Sequence, residues 1–175
     1  MSDPAIRSTE LTDLPAVIFL YRQVEALHAE VRPDLVTVAE GEALQATLTT
    51  LLSDPDVCNL VIEAHGGVVG YARYRISQVP AVSLSPRAGQ AQATIEELMI
   101  SAEHRREKLA TRMLREIESR LGEQGVPLIR LSVYDFSIDA QYLYSGLGYE
   151  PVKLELEKRV SPPDARPGTL APAVR

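Results

Sequence analysis

The stretch EELMISAEHRREKLATRMLREIESRL, Glu96–Leu121, decides the fold. Its front, together with ATIEELMI at residues 93–100, reads as a strand. Its back carries Leu109, Ala110, Met113, Leu114, Ile117 and Leu121 at helical spacing, closed by Gly122 and Gly125. Arg105, Arg106 and Lys108 gather where that helix begins. A helix start is already positive, because its first N–H groups have no partner and the macrodipole points that way. Cations belong there if an anion joins them: free N–H groups flanked by Arg and Lys make a phosphate site. The other reading is a solvated basic cluster partly balanced by Glu103 and Glu107.

Upstream, AIRSTELTDL predicts a short strand and a turn in which Thr12 or Asp13 caps a helix with Pro15 in its first turn. That helix, residues 15–31, has an apolar stripe at Val17, Leu20, Val24 and Leu27. A second helix is expected over 40–52. NLVIEAHGGVVGYARYRI is a hairpin turning at His65-Gly66-Gly67, and residues 78–90, with Pro80, Pro86 and Gly89, form a long loop. Downstream, LIRLSVYDF predicts a strand, DAQYLYSGLG a short helix ended by Gly148, and YEPVKLELEKRV an alternating strand. The order β-α-α-β-β-β-α-β-α-β gives an α+β fold, a mixed central sheet flanked by helices. Residues 1–160 are expected to form one domain and 161–175, with Pro162, Pro163, Pro167 and Pro172, a flexible tail.

A chain of 175 residues suits one domain with a real core. A net charge of −6 argues against a broad nucleic-acid or anionic-membrane surface. The apolar run 16–21 is far shorter than the about 20 residues a membrane span needs. The polar start MSDPAIRSTELTDLP carries no secretory signal, so a cytoplasmic location is expected. Cys58 alone cannot build a disulfide framework, and His28, His65 and His104 show no ligand spacing, so no metal is expected.

The two segments ELMISAEHRREKLATRMLREIE and LSVYDFSIDAQYLYSGLGYEPV resemble the GNAT superfamily of N-acetyltransferases, and the element order extends the resemblance over residues 6–160. In that family a strand runs into a loop and helix of pattern Arg/Gln-x-x-Gly-x-Gly/Ala, whose amides hold the pyrophosphate of acetyl-CoA. Here Arg105 and Ala110 match, and Lys108 replaces the first glycine. The family's later pattern Ala-x-x-Leu-Tyr-x-x-x-Gly-Phe/Tyr matches Ala140, Leu143, Tyr144, Gly148 and Tyr149, with Ser137 where an Asn is frequent.

The resemblance implies an N-acetyltransferase with acetyl-CoA as cosubstrate, passing its acetyl group directly to a small-molecule or peptide amine. Arg105, Arg106, Lys108, Leu109, Ala110 and Thr111 would hold the diphosphate, with Ser137 beside the cofactor. The backbone around Met99 to Ser101, with Leu98 and Ile100 among the cofactor-binding residues, would serve pantetheine and the thioester carbonyl, unless Leu98 and Ile100 are plain core residues. Tyr144 stands where relatives place the general acid, or is an aromatic covering the sheet. Glu96 and Glu97 are the carboxylates available as base, Glu96 in the family's position, unless both face solvent or pair with arginine. Adjacent strand residues point to opposite faces unless a bulge intervenes. Tyr21, His28, Arg32 and Asp34 fall where relatives shape the acceptor pocket. The alternative is a non-catalytic module of the same fold with weakened CoA binding. The alternating segment 152–160 either completes the sheet or pairs across a homodimer.

Overall fold

The computed structural model describes residues 3–38, 41–82 and 86–160. The expected tail, 161–175, and the start of the expected second helix at Glu40 lie outside them. Strands β1 (Ala5–Ser8), β2 (Val57–Ala64), β3 (Gly67–Gln78), β4 (Ala91–Ile100) and β5 (Ile129–Leu131) form one sheet in that order. β1 to β4 pair antiparallel, and β5 joins β4 in parallel. Helices α1 (Leu14–Val31) and α2 (Gly41–Ser53) cover one face. On the other lie α3 (Leu109–Glu123) and α4 (Ile138–Gly146).

The amphipathic sequence explains the layering. Helix α3 buries Leu109, Met113, Leu114, Ile117 and Leu121 against Leu60, Ile62, Ala72, Tyr74, Ala93 and Ile95 of the sheet. Each such side chain contributes about 1.5–3 kcal/mol on leaving water. Helix α1 buries Val17, Leu20 and Tyr21, but the stripe stops short of Leu27, which is exposed. Asp13 precedes α1, yet its carboxylate does not cap the helix. It accepts the Glu10 N–H at 2.8 Å and a paired contact from Arg7 at 2.7 and 2.9 Å. Arg7 also reaches Glu63 at 2.6 Å, tying β1, β2 and the start of α1 together.

Gly70 sits where β3 passes tightly between its neighbours. A Cβ there would lie 2.5 Å from Ile100 Cδ1, 2.8 Å from Ile62 Cγ2 and 2.9 Å from the Met99 carbonyl oxygen. The side chains can yield; the strand backbone cannot. Gly70→Ala is expected to lower stability by about 1–3 kcal/mol in urea unfolding, the usual range for overpacking.

Two strand expectations are corrected. The strand read over LIRLSVYDF pairs only at Ile129–Leu131. The expected last strand, YEPVKLELEKRV, is not one: residues 151–160 pair with no strand among the described residues, and Val152, Leu154 and Leu156 are exposed. Alternation suits a half-buried strand, but the neighbouring edge, β5, is three residues long. Ion pairs Glu157–Arg32 at 2.8 Å and Arg159–Asp34 at 2.9 Å direct the segment to the end of α1 instead.

Candidate active site

The parallel pair β4–β5 stops early. Its register runs Ala93–Ile129, Thr94–Arg130 and Ile95–Leu131, while β4 continues to Ile100. Beyond Ile95 no described strand pairs with that edge of β4, so the two strands part and leave backbone groups facing the gap. Leu98 and Ile100 pack toward α3 and Met99 is buried on the α1 side. Their side chains are core, and only their backbone faces the gap.

The same region holds a bulge. Arg73 of β3 pairs with Glu97 and Tyr74 with Ile95, so Glu96 is the extra residue. The bulge inverts the side-chain alternation: Ile95 and Leu98 share the α3 face, and Glu97 and Met99 turn to the α1 face. Glu96 and Glu97 therefore meet one cation instead of diverging. Arg73, with 12% of its side chain exposed, donates to Glu96 Oε2 at 2.9 Å, Glu97 Oε1 at 3.5 Å and the Tyr21 hydroxyl at 3.1 Å.

The two carboxylates differ in setting: Glu96 is an exposed residue and Glu97 a half-buried one. Glu96 lies between Arg73 and, at 3.7 Å, Arg75. Glu97 lies beside the Tyr21 hydroxyl, and burial pushes its carboxyl above the usual glutamate range, against the opposing charge of Arg73. Tyr144, half-buried on α4, senses Glu97: burial, then that negative charge, push its hydroxyl above the usual phenol value. Its ring packs edge-on against Tyr149 at 5.8 Å. The Tyr149 N–H returns to the Tyr144 carbonyl at 3.0 Å, a reversal that Gly148 permits at φ +88°. Ser137 begins α4, its side chain capping nothing.

The cationic loop has an unusual backbone. After Ser101, Arg106 and Lys108 take φ of 67° and 60°, the left-handed region, and Lys108 is the residue before α3. No side chain among the described residues caps α3, and its first internal bond runs from Arg112 N–H to the Lys108 carbonyl. The N–H groups of Leu109, Ala110 and Thr111 thus stand at a helix start without an intrahelical acceptor. Lys108 adopts the conformation that glycine takes without cost, and its side chain is exposed. A bulky residue in the sequence thus leaves the backbone shape of a glycine. Lys108→Gly is expected to raise stability by about 1 kcal/mol and Tm by about 2–4 °C, seen in a thermal melt.

An aromatic cluster joins α1 to the segment after β5. His28 meets Tyr134 and Phe136 edge-on at 5.1 and 5.6 Å, and those two rings stack at 4.9 Å. Burial, then the charge of Arg105, hold His28 below its usual pKa, placing the loop cation near this cluster. Arg32 and Asp34 instead pair with each other at 2.8 Å and with residues 157 and 159.

Sequence reading missed Arg73, although an arginine alternating with apolar residues in YARYRI was a signal for a charge on a covered face. It also set His65 and His104 apart, whereas the fold stacks their rings at 4.6 Å beside Glu107. A parted strand pair, an uncapped helix start and a left-handed approach loop follow one another from β4 into α3, and unpaired N–H groups at a helix start are the kind of donors that bind anions.

Comparison with known proteins bears on the fold and the family. Residues 22–149 match the sequence family described as Acetyltransferase (GNAT) family. No curated protein matches the chain significantly. Among solved structures, the tetramutant BH1408 protein of Bacillus halodurans is similar at TM-score 0.81 and 22% identity, covering 89% of this chain and 99% of that one. AAC(6')-Iy, solved with the bisubstrate analog CoA-S-monomethyl-acetylneamine, is similar at TM-score 0.67 and 17% identity, covering 91% and 99%. An aminoglycoside acetyltransferase, HMB0005, from an uncultured soil metagenomic sample is similar at TM-score 0.65 and 17% identity, covering 91% and 100%. At such identities the structures establish the shared fold alone, but the family match spans most of the sequence: this chain belongs to the GNAT family of acetyltransferases.

Proposed function

We propose that the protein moves an acetyl group from acetyl-CoA to a primary amine by direct attack in a ternary complex. The observation that carries this reading is the loop before α3, whose left-handed residues at Arg106 and Lys108 lead from the end of β4, where β5 no longer pairs, into a helix start with no side-chain cap. The amides of that helix start, with Arg105 and Arg106 alongside, would hold the diphosphate, and the unpaired edge of β4 would hold the pantetheine arm. Acetyl-CoA supplies the activated acyl group and a thiolate leaving group.

The chain's own groups supply the proton transfers. Glu97, rather than Glu96, takes the amine proton, directly or through water, because its raised pKa moves it toward the working pH and Arg73, itself bonded to Tyr21, holds it. Glu96 holds Arg73 in place. Tyr144, kept protonated by burial and by Glu97, gives its proton to the departing sulfur. Backbone N–H groups of β4 stabilise the oxyanion. The aromatic wall of His28, Tyr134 and Phe136 offers ring faces to an amine acceptor on the α1 side.

The test is release of CoA thiol over a panel of aminoglycosides, polyamines, amino acids and peptides. Turnover with one class supports the transferase. Tight CoA binding with no thiol released from any amine would favour a binding module, the reading to which Lys108 in a glycine position first pointed.

A further inference from the structure

We infer that His65, His104 and Glu107 form a site for a divalent transition ion of the zinc class, outside the proposed cleft chemistry. The three residues come from two segments. His65 and Gly66 are the central residues of the β2–β3 hairpin, between the paired Ala64 and Gly67, at φ of 54° and 86°. Two left-handed residues make the tight turn that fits strand twist, and a histidine, unlike asparagine or glycine, brings a ligand there. His104 and Glu107 lie on the loop between β4 and α3.

Glu107 already bridges both imidazoles. His65 Nε2 lies 2.9 Å from Oε2, and His104 Nδ1 lies 3.3 Å from Oε1. The ligand atoms of the three residues all lie within 4.8 Å of one another. Zinc bonds of about 2.0–2.2 Å in a tetrahedron place ligand atoms roughly 3.3 Å apart, so side-chain rotation has to draw the farthest pair in by no more than about 1.5 Å. The rings stack nearly parallel, 10° between planes, so an imidazole has to turn about its side-chain bonds for both nitrogens to face one ion. Side-chain exposures of 37%, 23% and 39% leave the site open to an arriving ion and to water in the fourth position.

Donor chemistry selects the ion. Two imidazole nitrogens and one carboxylate suit Zn²⁺, Co²⁺, Ni²⁺ or Cu²⁺, whereas Mg²⁺ and Ca²⁺ require oxygen sets. Two imidazoles and one carboxylate with an open position is also a recurring zinc ligand set. The ion would clip the hairpin turn to the loop that carries Arg106 and Lys108.

The test uses tag-free protein dialysed against chelator, titrated with Zn²⁺ by calorimetry and with Co²⁺ by visible absorption. The expected result is one ion per chain, a Co²⁺ spectrum with nitrogen ligation, no competition from Mg²⁺ or Ca²⁺, and a Tm that rises with Zn²⁺ concentration. His65→Ala, His104→Ala and Glu107→Gln each weaken binding by at least about tenfold, and His28→Ala, the remaining histidine, leaves it unchanged. Imidazole NMR of the unsubstituted protein gives the same answer without variants: Zn²⁺ shifts His65 and His104 and spares His28. Absence of saturable binding below about 1 mM, affinity unaltered by loss of His65 and His104, or shifts centred on His28 would each overturn the inference.

Discussion

Glu97→Gln is expected to lower kcat by about 10²–10³, within the about 10²–10⁴ that a positioned general base contributes, while Glu96→Gln stays within about tenfold. The amide keeps the size of the side chain and its contact with Tyr21, so the loss isolates the proton acceptor. The pH–rate profile distinguishes this from simple misfolding. Burial raises the Glu97 carboxyl above its ordinary value, so the acidic limb of the parent profile lies above the about 4.3 of a free glutamate. That limb disappears in the variant. Stability moves the other way. A carboxyl whose folded pKa is raised favours the folded state below the unfolded pKa, and that contribution fades as pH rises through the folded value. At neutral pH the ionised Glu97 is a cost to folding, and Glu97→Gln is expected to be at least as stable as the parent. A slower yet equally stable enzyme would be the signature of a base held in place against its own preference. A retained acidic limb would remove Glu97 from the role.

Tyr144→Phe is expected to lower kcat by about 10² with CoA affinity changed less than about twofold. The ring keeps its edge-on contact with Tyr149 and its place against the core, so packing at the end of α4 persists. Only the hydroxyl proton is lost. Burial and the Glu97 charge both disfavour the phenolate, which keeps that proton available at neutral pH. Single-turnover kinetics with CoA binding measured in parallel would check the split. A fall in affinity with kcat preserved would make Tyr144 a cofactor contact instead.

Much of the architecture was legible because it rests on periodicity. The α3 stripe and the His65-Gly66 turn each combine local propensity with a burial pattern that only one packing satisfies. The failure at residues 151–160 has the opposite cause. Alternation shows that a segment could be a strand, whereas pairing depends on a neighbour, and β5 ends after Leu131. The charges on Glu157 and Arg159, invisible to a hydrophobic pattern, find Arg32 and Asp34 across the fold.

The site was readable in its residue types and unreadable in its geometry. Glu96 and Glu97 were visible as adjacent acids, but which one turns toward Tyr21 depends on a one-residue bulge opposite Arg73 that no local signal marks. Lys108 looked like a lost glycine. The chain instead holds a lysine at φ 60° and keeps the loop shape that the helix start requires. His65 and His104 are far apart in sequence, and only closure of the sheet sets their rings face to face.

Calorimetric titration with CoA, 3′-dephospho-CoA and pantetheine tests the amide cradle most directly. Each charge-assisted bond to a diphosphate contributes about 1.5–3 kcal/mol, so losing two or more weakens binding by at least about a hundredfold. A cradle at the start of α3 predicts saturable binding of CoA, binding of 3′-dephospho-CoA within about tenfold of it, and pantetheine weaker by that hundredfold or more. Equal affinity for pantetheine and CoA, or no heat from either at about millimolar concentration, would contradict it.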